Sequence, residues 1–319
     1  MRWTPWLRVP PRIEGRGWSR DETRPNDPFA PTGAAMLTIL FDGVAYGMLL
    51  FVLSGGLAVT LGLMNVVNLA HGAFAMLGGY VAAWAVNRLG LPFLAALPLA
   101  FAAAALAGAL AEAALYTRIY RRTHLDQVLF SIALVFMSIA AADWLAGPSQ
   151  VMLSLPGWLQ GRFEIAGIGI GRYRAFVVLL CAAMVMVLQF TLTRTGFGAR
   201  LRAAVDDPRT ARGLGIRVDR LFAVTFAAGS GLAGLGGALA IEMIGLDPNF
   251  PLKIMVYVLI VVTVGGTTGL TGPFLAALIL GVADVAGKYY LPSLGGFLIY
   301  LLMIVLLILR PHGLIPRQA

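Results

Sequence analysis

Residues 61–80 read Leu61-Gly62-Leu63-Met64-Asn65-Val66-Val67-Asn68-Leu69-Ala70-His71-Gly72-Ala73-Phe74-Ala75-Met76-Leu77-Gly78-Gly79-Tyr80. The stretch carries no charged residue, yet two amides, an imidazole and four glycines interrupt its apolar run. Uncharged, glycine-bearing apolar sequence of this length reads as a membrane span, since glycine is commoner in membrane helices than in soluble ones. In hydrocarbon an amide or imidazole must face protein or water. Asn65, Asn68 and Gly72 are three and four apart, and His71 follows Asn68 by three, so one helical stripe could carry them all. Two readings stand side by side: hydrogen bonds between helices that hold a bundle together, or a broken helix lining a translocation path.

The rest of the chain agrees with a membrane setting. Of 319 residues, 59% are hydrophobic and 12% charged, with 38 glycines, where soluble domains carry about 25% charged residues. Mean hydropathy is +0.83. The composition excludes a secreted disulfide-built protein and a soluble two-domain protein, and the single Cys181 leaves no disulfide or multi-cysteine metal site to propose. A span needs roughly 20 apolar residues to cross about 30 Å of hydrocarbon. Eight or nine segments qualify: 36–60, 62–84, 92–116, 125–146, 174–192, 219–244, 253–268, 273–289 and 295–310, the seventh short and glycine-broken. The expected fold is an all-α integral membrane protein, a polytopic bundle of eight or nine transmembrane helices with glycine-broken segments.

The net charge of +9 is a matter of topology. Nucleic-acid binding would gather basic residues on one exposed face, whereas here they fall between hydrophobic runs, so no nucleic-acid partner is expected. The loop 117–124, the loop 193–220 and the C-terminus from Arg310 hold twelve arginines, and the opposite side collects six basic residues: Arg88, Arg162, Arg172, Arg174, Lys253 and Lys288. Positive residues in short loops stay cytoplasmic, which places the first group inside and the start of the first span outside. The tail 1–35 disagrees, with six arginines, several prolines and no apolar run. It has no signal-peptide core; Met36 is expected as the natural start, residues 1–35 being a disordered or non-native extension. Residues 36–310 then form the permeating domain and 311–319 a cytoplasmic tail.

Several apparent motifs dissolve in this context. Gly229-Ser230-Gly231-Leu232-Ala233-Gly234 has dinucleotide-site spacing but lies mid-span, without the strand such a site requires. Ser230, Gly234 and Ala238 form small-xxx-small spacing, which predicts close helix packing. Gly287-Lys288-Tyr289 is no phosphate loop: no Ser or Thr follows the lysine, so no ATP site is expected in this chain. His71 with Ser54 or Ser131 lacks any motif of a hydrolytic nucleophile. Asp42, Asp143, Glu242 and Asp284 fall near the outer boundary of the spans and are expected as solvated rim residues, or else as an acidic vestibule.

Three strings carry a resemblance. Gly62–Tyr80, GLMNVVNLAHGAFAMLGGY, resembles the signature near the start of the Liv-type permease subunits of ABC importers, the branched-chain or hydrophobic amino acid uptake family; Ala70-His71-Gly72 resembles the shorter of its two paralogous permeases. The loop Thr193–Arg220 resembles the segment by which these permeases dock on an ATPase subunit. Within it, Asp206 and Asp207 before Pro208 suit a helix start, while Gly213 and Gly215 suit a helix stop. Val264-Gly265-Gly266-Thr267-Thr268-Gly269-Leu270-Thr271-Gly272-Pro273 resembles a late glycine-rich turn of the family, which has Gly-Ser where this chain has Thr268-Gly269. Arg310–Ile315 also fits the family's ending.

The resemblance implies a permease subunit in the bacterial inner membrane, fed by a periplasmic binding protein at the outer loops 147–173 and 245–252. Its expected substrate is a branched-chain or other hydrophobic amino acid, or a related small amide or urea. Its expected partners are ABC ATPase subunits, which would bind the ATP, a paralogous permease or second copy of itself, and membrane lipid. No cofactor is expected in this chain. Asn65, Asn68, His71, Gly72, Gly265, Gly266, Thr267 and Thr268 are the expected substrate pathway. Gly196, Gly198, Arg200, Arg202, Asp206, Asp207, Pro208, Gly213 and Gly215 are the expected ATPase coupling residues. The rival is a self-sufficient secondary transporter or channel for a small polar solute, which would want ionisable groups near the midplane, where this chain has few.

Overall fold

The computed structural model describes residues 33–64, 68–119, 122–165, 168–266, 269–309 and 313–314. In chain order the helices are α1 (Gly33–Met64), α2 (His71–Asn87), α3 (Phe93–Ala111), α4 (Thr117–Ile119), α5 (His124–Ala146), α6 (Arg172–Arg194), α7 (Gly196–Asp206), α8 (Pro208–Gly213), α9 (Val218–Ile244), α10 (Phe250–Gly265), α11 (Thr271–Tyr290) and α12 (Gly295–Leu309). A π-helical turn, Glu112–Tyr116, joins α3 to α4. Between α5 and α6 a short antiparallel hairpin, β1 (Arg162–Ile165) and β2 (Ile168–Gly171), pairs Arg162 with Gly171; it is the one addition to the all-helical expectation among the described residues. Among the described residues six helices are long and apolar enough to cross a membrane, and Phe250–Gly265 and Phe297–Leu309 are shorter apolar helices.

The segment expected over 62–84 is displaced. Helix α1 runs on to Met64, residues 65–67 lie outside the described residues, and α2 begins at His71. The cause is local: the Asn68 side chain accepts the backbone N–H of Ala70 at 3.0 Å. A short polar side chain that takes the N–H two residues on offers the backbone an alternative to the helix. Asn68 and His71 therefore straddle a helix start instead of sharing one continuous stripe.

Helix α9 is the centre of the bundle, and α1, α2 and α3 pack around it. Lipid gives apolar side chains no reason to leave it, so helices associate through close backbone approach and dispersion. Small residues provide that approach: Gly56 meets Gly229, Gly78 meets Gly234, and Ala75 meets Gly237, each through backbone atoms. Ser230, Gly234 and Ala238 are all buried there, as their spacing predicts. Gly56 on Gly229 and Leu53 on Gly236 run α1 antiparallel to α9; Asp42 paired with Arg174 and Gly55 against Leu188 run it parallel to α6. These directions gather Arg194, Arg217 and Arg220 at one end of the bundle and the Asp42–Arg174 pair at the other, as the charge count requires.

Candidate functional site

Two interrupted helices open against the same turn of α1. His71, the first residue of α2, places its Nε2 2.8 Å from the Leu53 carbonyl oxygen. Phe274, on the first turn of α11, packs edge-on against Phe51 at 5.3 Å. Residues 51–53 of α1 thus brace both helix starts. Of the expected pathway residues, Asn65, Thr267 and Thr268 lie outside the described residues. Asn68 is 2% exposed and His71 3%. The Asn68 side-chain oxygen also accepts the Tyr116 hydroxyl at 2.6 Å, so the amide ties the helix break to the π-helical turn after α3. Gly72 lies against the start of α10, where a Cβ would stand 2.7 Å from the Pro251 carbonyl oxygen.

The second break is also held by the protein. Gly265 faces the backbone of Gly272 and Pro273, and Gly266 turns the chain with φ +85°. The Val264 carbonyl, which the end of α10 leaves without an intrahelical partner, accepts the Leu314 N–H at 2.8 Å. Gly313 makes that approach at φ +82°, with space for a Cβ only 2.9 Å from Gly266. One carbonyl beside the glycine-rich turn is therefore met by chain from beyond α12. The sequence pattern contained no sign of that pairing.

An apolar crevice of about 760 Å³ lies between α2, α3 and α5. Phe74, Tyr80 and Trp84 project from α2, Ala107 and Ala111 from α3, and Ser138 and Ala141 from α5. The Tyr80 hydroxyl is buried with no hydrogen-bond partner among the described residues. Asn87 closes the outer end, donating to the Met152 carbonyl at 2.7 Å and accepting from the Ser154 N–H at 3.2 Å. A bridge from Val151 to Leu246 ties the two outer loops, 147–173 and 245–252, into one surface. None of these crevice residues was foreseen as functional. Tyr80 stood at the end of the deciding stretch, but only the distance between α2 and α5 shows that a cavity opens there.

The segment 193–220 forms two short helices where one was expected. Thr195 caps α7, and Asp207 caps α8 by accepting the N–H of Arg209 at 2.9 Å and of Thr210 at 3.1 Å, with Pro208 in the first turn. Bonds from the Thr210 hydroxyl and then from the Thr210 and Arg209 N–H groups hold the Asp207 carboxyl below the usual aspartate range. Asp206 instead ends α7. The stop is glycine-built, with Gly213 closing α8 and Gly215 at φ +84°. Leu201, Ala204, Ala211, Val218 and Leu221 form a small apolar core that holds α7 and α8 on the start of α9. Gly198 is buried, and any side chain there would strike the Leu192 backbone. Arg202 reaches back to the Leu192 carbonyl, so both residues hold the corner. Gly196, Arg200, Asp206, Asp207, Pro208, Gly213 and Gly215 are exposed.

The acidic residues depart from the rim expectation in two places. The Asp284 side chain is 1% exposed and pairs with Lys288 at 2.5 Å, one turn along α11. Asp42, also largely covered, pairs with Arg174. Pairing is what lets a carboxylate sit among helices at that depth.

Residues 39–307 match the family described as branched-chain amino acid transport system / permease component. The chain is 28% identical over 290 residues to the probable branched-chain amino acid transport permease protein LivH of Methanocaldococcus jannaschii, covering 86% of this chain and 91% of that protein. It is 26% identical over 294 residues to the high-affinity branched-chain amino acid transport system permease protein LivH of Escherichia coli K12, covering 87% and 94%. To LivM of the same organism it is 26% identical over 296 residues, covering 84% of this chain and 68% of that protein. No solved structure matches. The family match spans most of the bundle and the LivH proteins are covered nearly whole, which decides against a self-sufficient transporter: the chain belongs to the branched-chain amino acid transport permease family, as a multi-pass, LivH-like permease component of an ABC transport system whose ATP hydrolysis lies in partner subunits.

Proposed function

We propose that this permease passes a branched-chain or other hydrophobic amino acid, or a related small amide or urea, through the bacterial inner membrane. The observation that carries the substrate reading is the crevice between α2, α3 and α5, whose apolar wall accepts an apolar side chain while Tyr80, Asn87 and Ser138 supply a few polar contacts. A periplasmic binding protein delivers the ligand to the tied outer loops. The pathway then runs past the helix breaks at Asn68, His71 and Gly72 and at Gly265 and Gly266, with Asn65, Thr267 and Thr268 assigned to it from the sequence.

ATPase subunits dock on the opposite end, on α7 and α8. That corner is a compact unit with its own apolar core, so a push on its exposed face moves α6 and α9 together. ATP is bound by those partners and no cofactor by this chain. The membrane partner is a LivM-like permease or a second copy of this chain. Ligand at one end and nucleotide at the other then bias a two-state bundle. Uptake of labelled leucine into vesicles holding the permease, its partner and the ATPase subunits tests the scheme. Uptake is expected only with ATP on the α7–α8 side and binding protein on the other. Uptake driven by an ion gradient without ATP overturns it.

A further inference from the structure

At the inner end of the bundle a groove of about 590 Å³ separates α7 from the start of α9. Its two walls are helical stripes. Phe197 and Arg200, three apart on α7, face Arg217, the cap residue before α9, and Arg220, Leu221 and Val224 on its first two turns. No carboxylate lines it. Arg212 pairs with Asp219 at 3.0 Å, but among the described residues none of Arg200, Arg217 and Arg220 has a carboxylate partner within ion-pair distance. Three guanidinium groups at one mouth therefore lack a counter-charge.

The polarity of the groove changes along its length. The arginines lie at the end that the charge count assigns to the cytoplasm, and Leu221 and Val224 lead into the span. Val224 is 56% exposed although it lies on the most deeply embedded helix of the bundle, and Leu214 at the mouth is 77% exposed. An ATPase docking on α7 and α8 could reach the arginines, but not apolar side chains inside the hydrocarbon boundary. A lipid meets both ends at once. We propose that this groove binds an anionic phospholipid, its phosphodiester held by Arg200, Arg217 and Arg220 and its acyl chain lying along Val224. Guanidinium forks suit phosphate oxygens, and basic pockets beside spans at the cytoplasmic leaflet select anionic headgroups. The proposal goes beyond the transport reading and requires only that the α7 end faces the cytoplasmic leaflet. It would make the seating of α7 against α9, and so the geometry offered to an ATPase, depend on membrane composition.

The test is native mass spectrometry of the full chain released from nanodiscs of phosphatidylglycerol and phosphatidylcholine with identical acyl chains. Each basic group at such a surface contributes about fivefold in affinity. The wild type should retain phosphatidylglycerol preferentially, and Arg217→Gln with Arg220→Gln should weaken that retention by roughly thirtyfold, two such factors together. Arg194→Gln with Arg209→Gln, equal in charge but outside the groove, should leave it unchanged, and so should Arg217→Lys with Arg220→Lys to within a few-fold. Equal loss in both glutamine pairs overturns the site in favour of general surface charge. Displacement of phosphatidylglycerol by inorganic phosphate alone would show a small-anion site and overturn the lipid assignment. Lost ATPase co-purification with unchanged lipid retention in the groove pair would make it a protein-docking face, and likewise overturns the proposal. Should the glutamine pair fail to fold, Val224→Asn tests the acyl end: it should lower retention of long-chain more than of short-chain phosphatidylglycerol, and equal retention of both overturns the proposal.

Discussion

Asn68 does two jobs with one carbonyl oxygen, receiving the Ala70 N–H that starts the break and the Tyr116 hydroxyl that anchors it. Asn68→Leu removes the buried acceptor of both bonds, at a cost of about 1–3 kcal/mol. Tyr116→Phe, which leaves Asn68 one partner, should cost about 0.5–1.5 kcal/mol. Thermal unfolding in detergent should rank the variants in that order, and an Asn68→Leu protein as stable as wild type would show the amide to be free for substrate instead. The amide was readable from the sequence as a costly group needing a partner. Its partner was not, because Tyr116 lies 48 residues away. Asp207 is the opposite case, its cap written in neighbouring residues. Because its carboxyl is held below the ordinary range, its contribution to α8 is present at neutral pH and is lost as pH falls through that lowered value. Asp207→Asn keeps the cap and should keep the slow amide exchange of Arg209 and Thr210. Asp207→Ala should speed it and lower coupling of ATP hydrolysis to uptake; unaltered exchange in the alanine variant would remove the cap from the account.

Among the helices, glycine has two different meanings that composition cannot separate. Gly78 lies on the Gly234 backbone, whereas Gly196 has nothing near the place a Cβ would occupy. Gly78→Ala must push α2 off α9 or strain both, which costs about 1–3 kcal/mol as overpacking. Gly196→Ala should shift stability by less than about 0.5 kcal/mol, as surface changes do. Tryptic half-life in detergent compares them, and equal half-lives would refute the close approach. Most helices could be placed from apolar run length alone, since hydrocarbon thickness dictates it. What escaped that rule were the breaks and corners. α1 passes the expected end at residue 60 because Leu61–Met64 continue the apolar run, and the segment 193–220 divides into α7 and α8 because Asp207 caps one helix just as the other ends. Gly198 looked like part of a docking surface but is buried under the α6–α7 corner, so enlarging it would test the corner, not a partner's grip.

For the molecule entire, charge told which end was which, and packing tells where a path can run. The basic residues of the loops are in excess at one end, the bias that orients spans, a rule readable without coordinates. The crevice was not readable, because it depends on how far α5 stands from α2, and no local pattern encodes that distance. Filling it should separate transport from the motor. Ala141 lines the crevice on α5, whereas Leu129, on the same helix, is exposed and does not line it. Ala141→Trp should reduce uptake at least about tenfold if each extra barrier of 1.4 kcal/mol costs a factor of ten. Leu129→Trp should leave uptake within about twofold, as neutral surface changes do. Both variants should keep nucleotide hydrolysis by the assembled transporter, because neither touches α7 or α8. Undiminished uptake in Ala141→Trp, with the protein folded, would move the path away from α5. The substrate would then have to pass at the helix breaks themselves, where Asn68 and His71 would need to surrender their internal bonds to let it through.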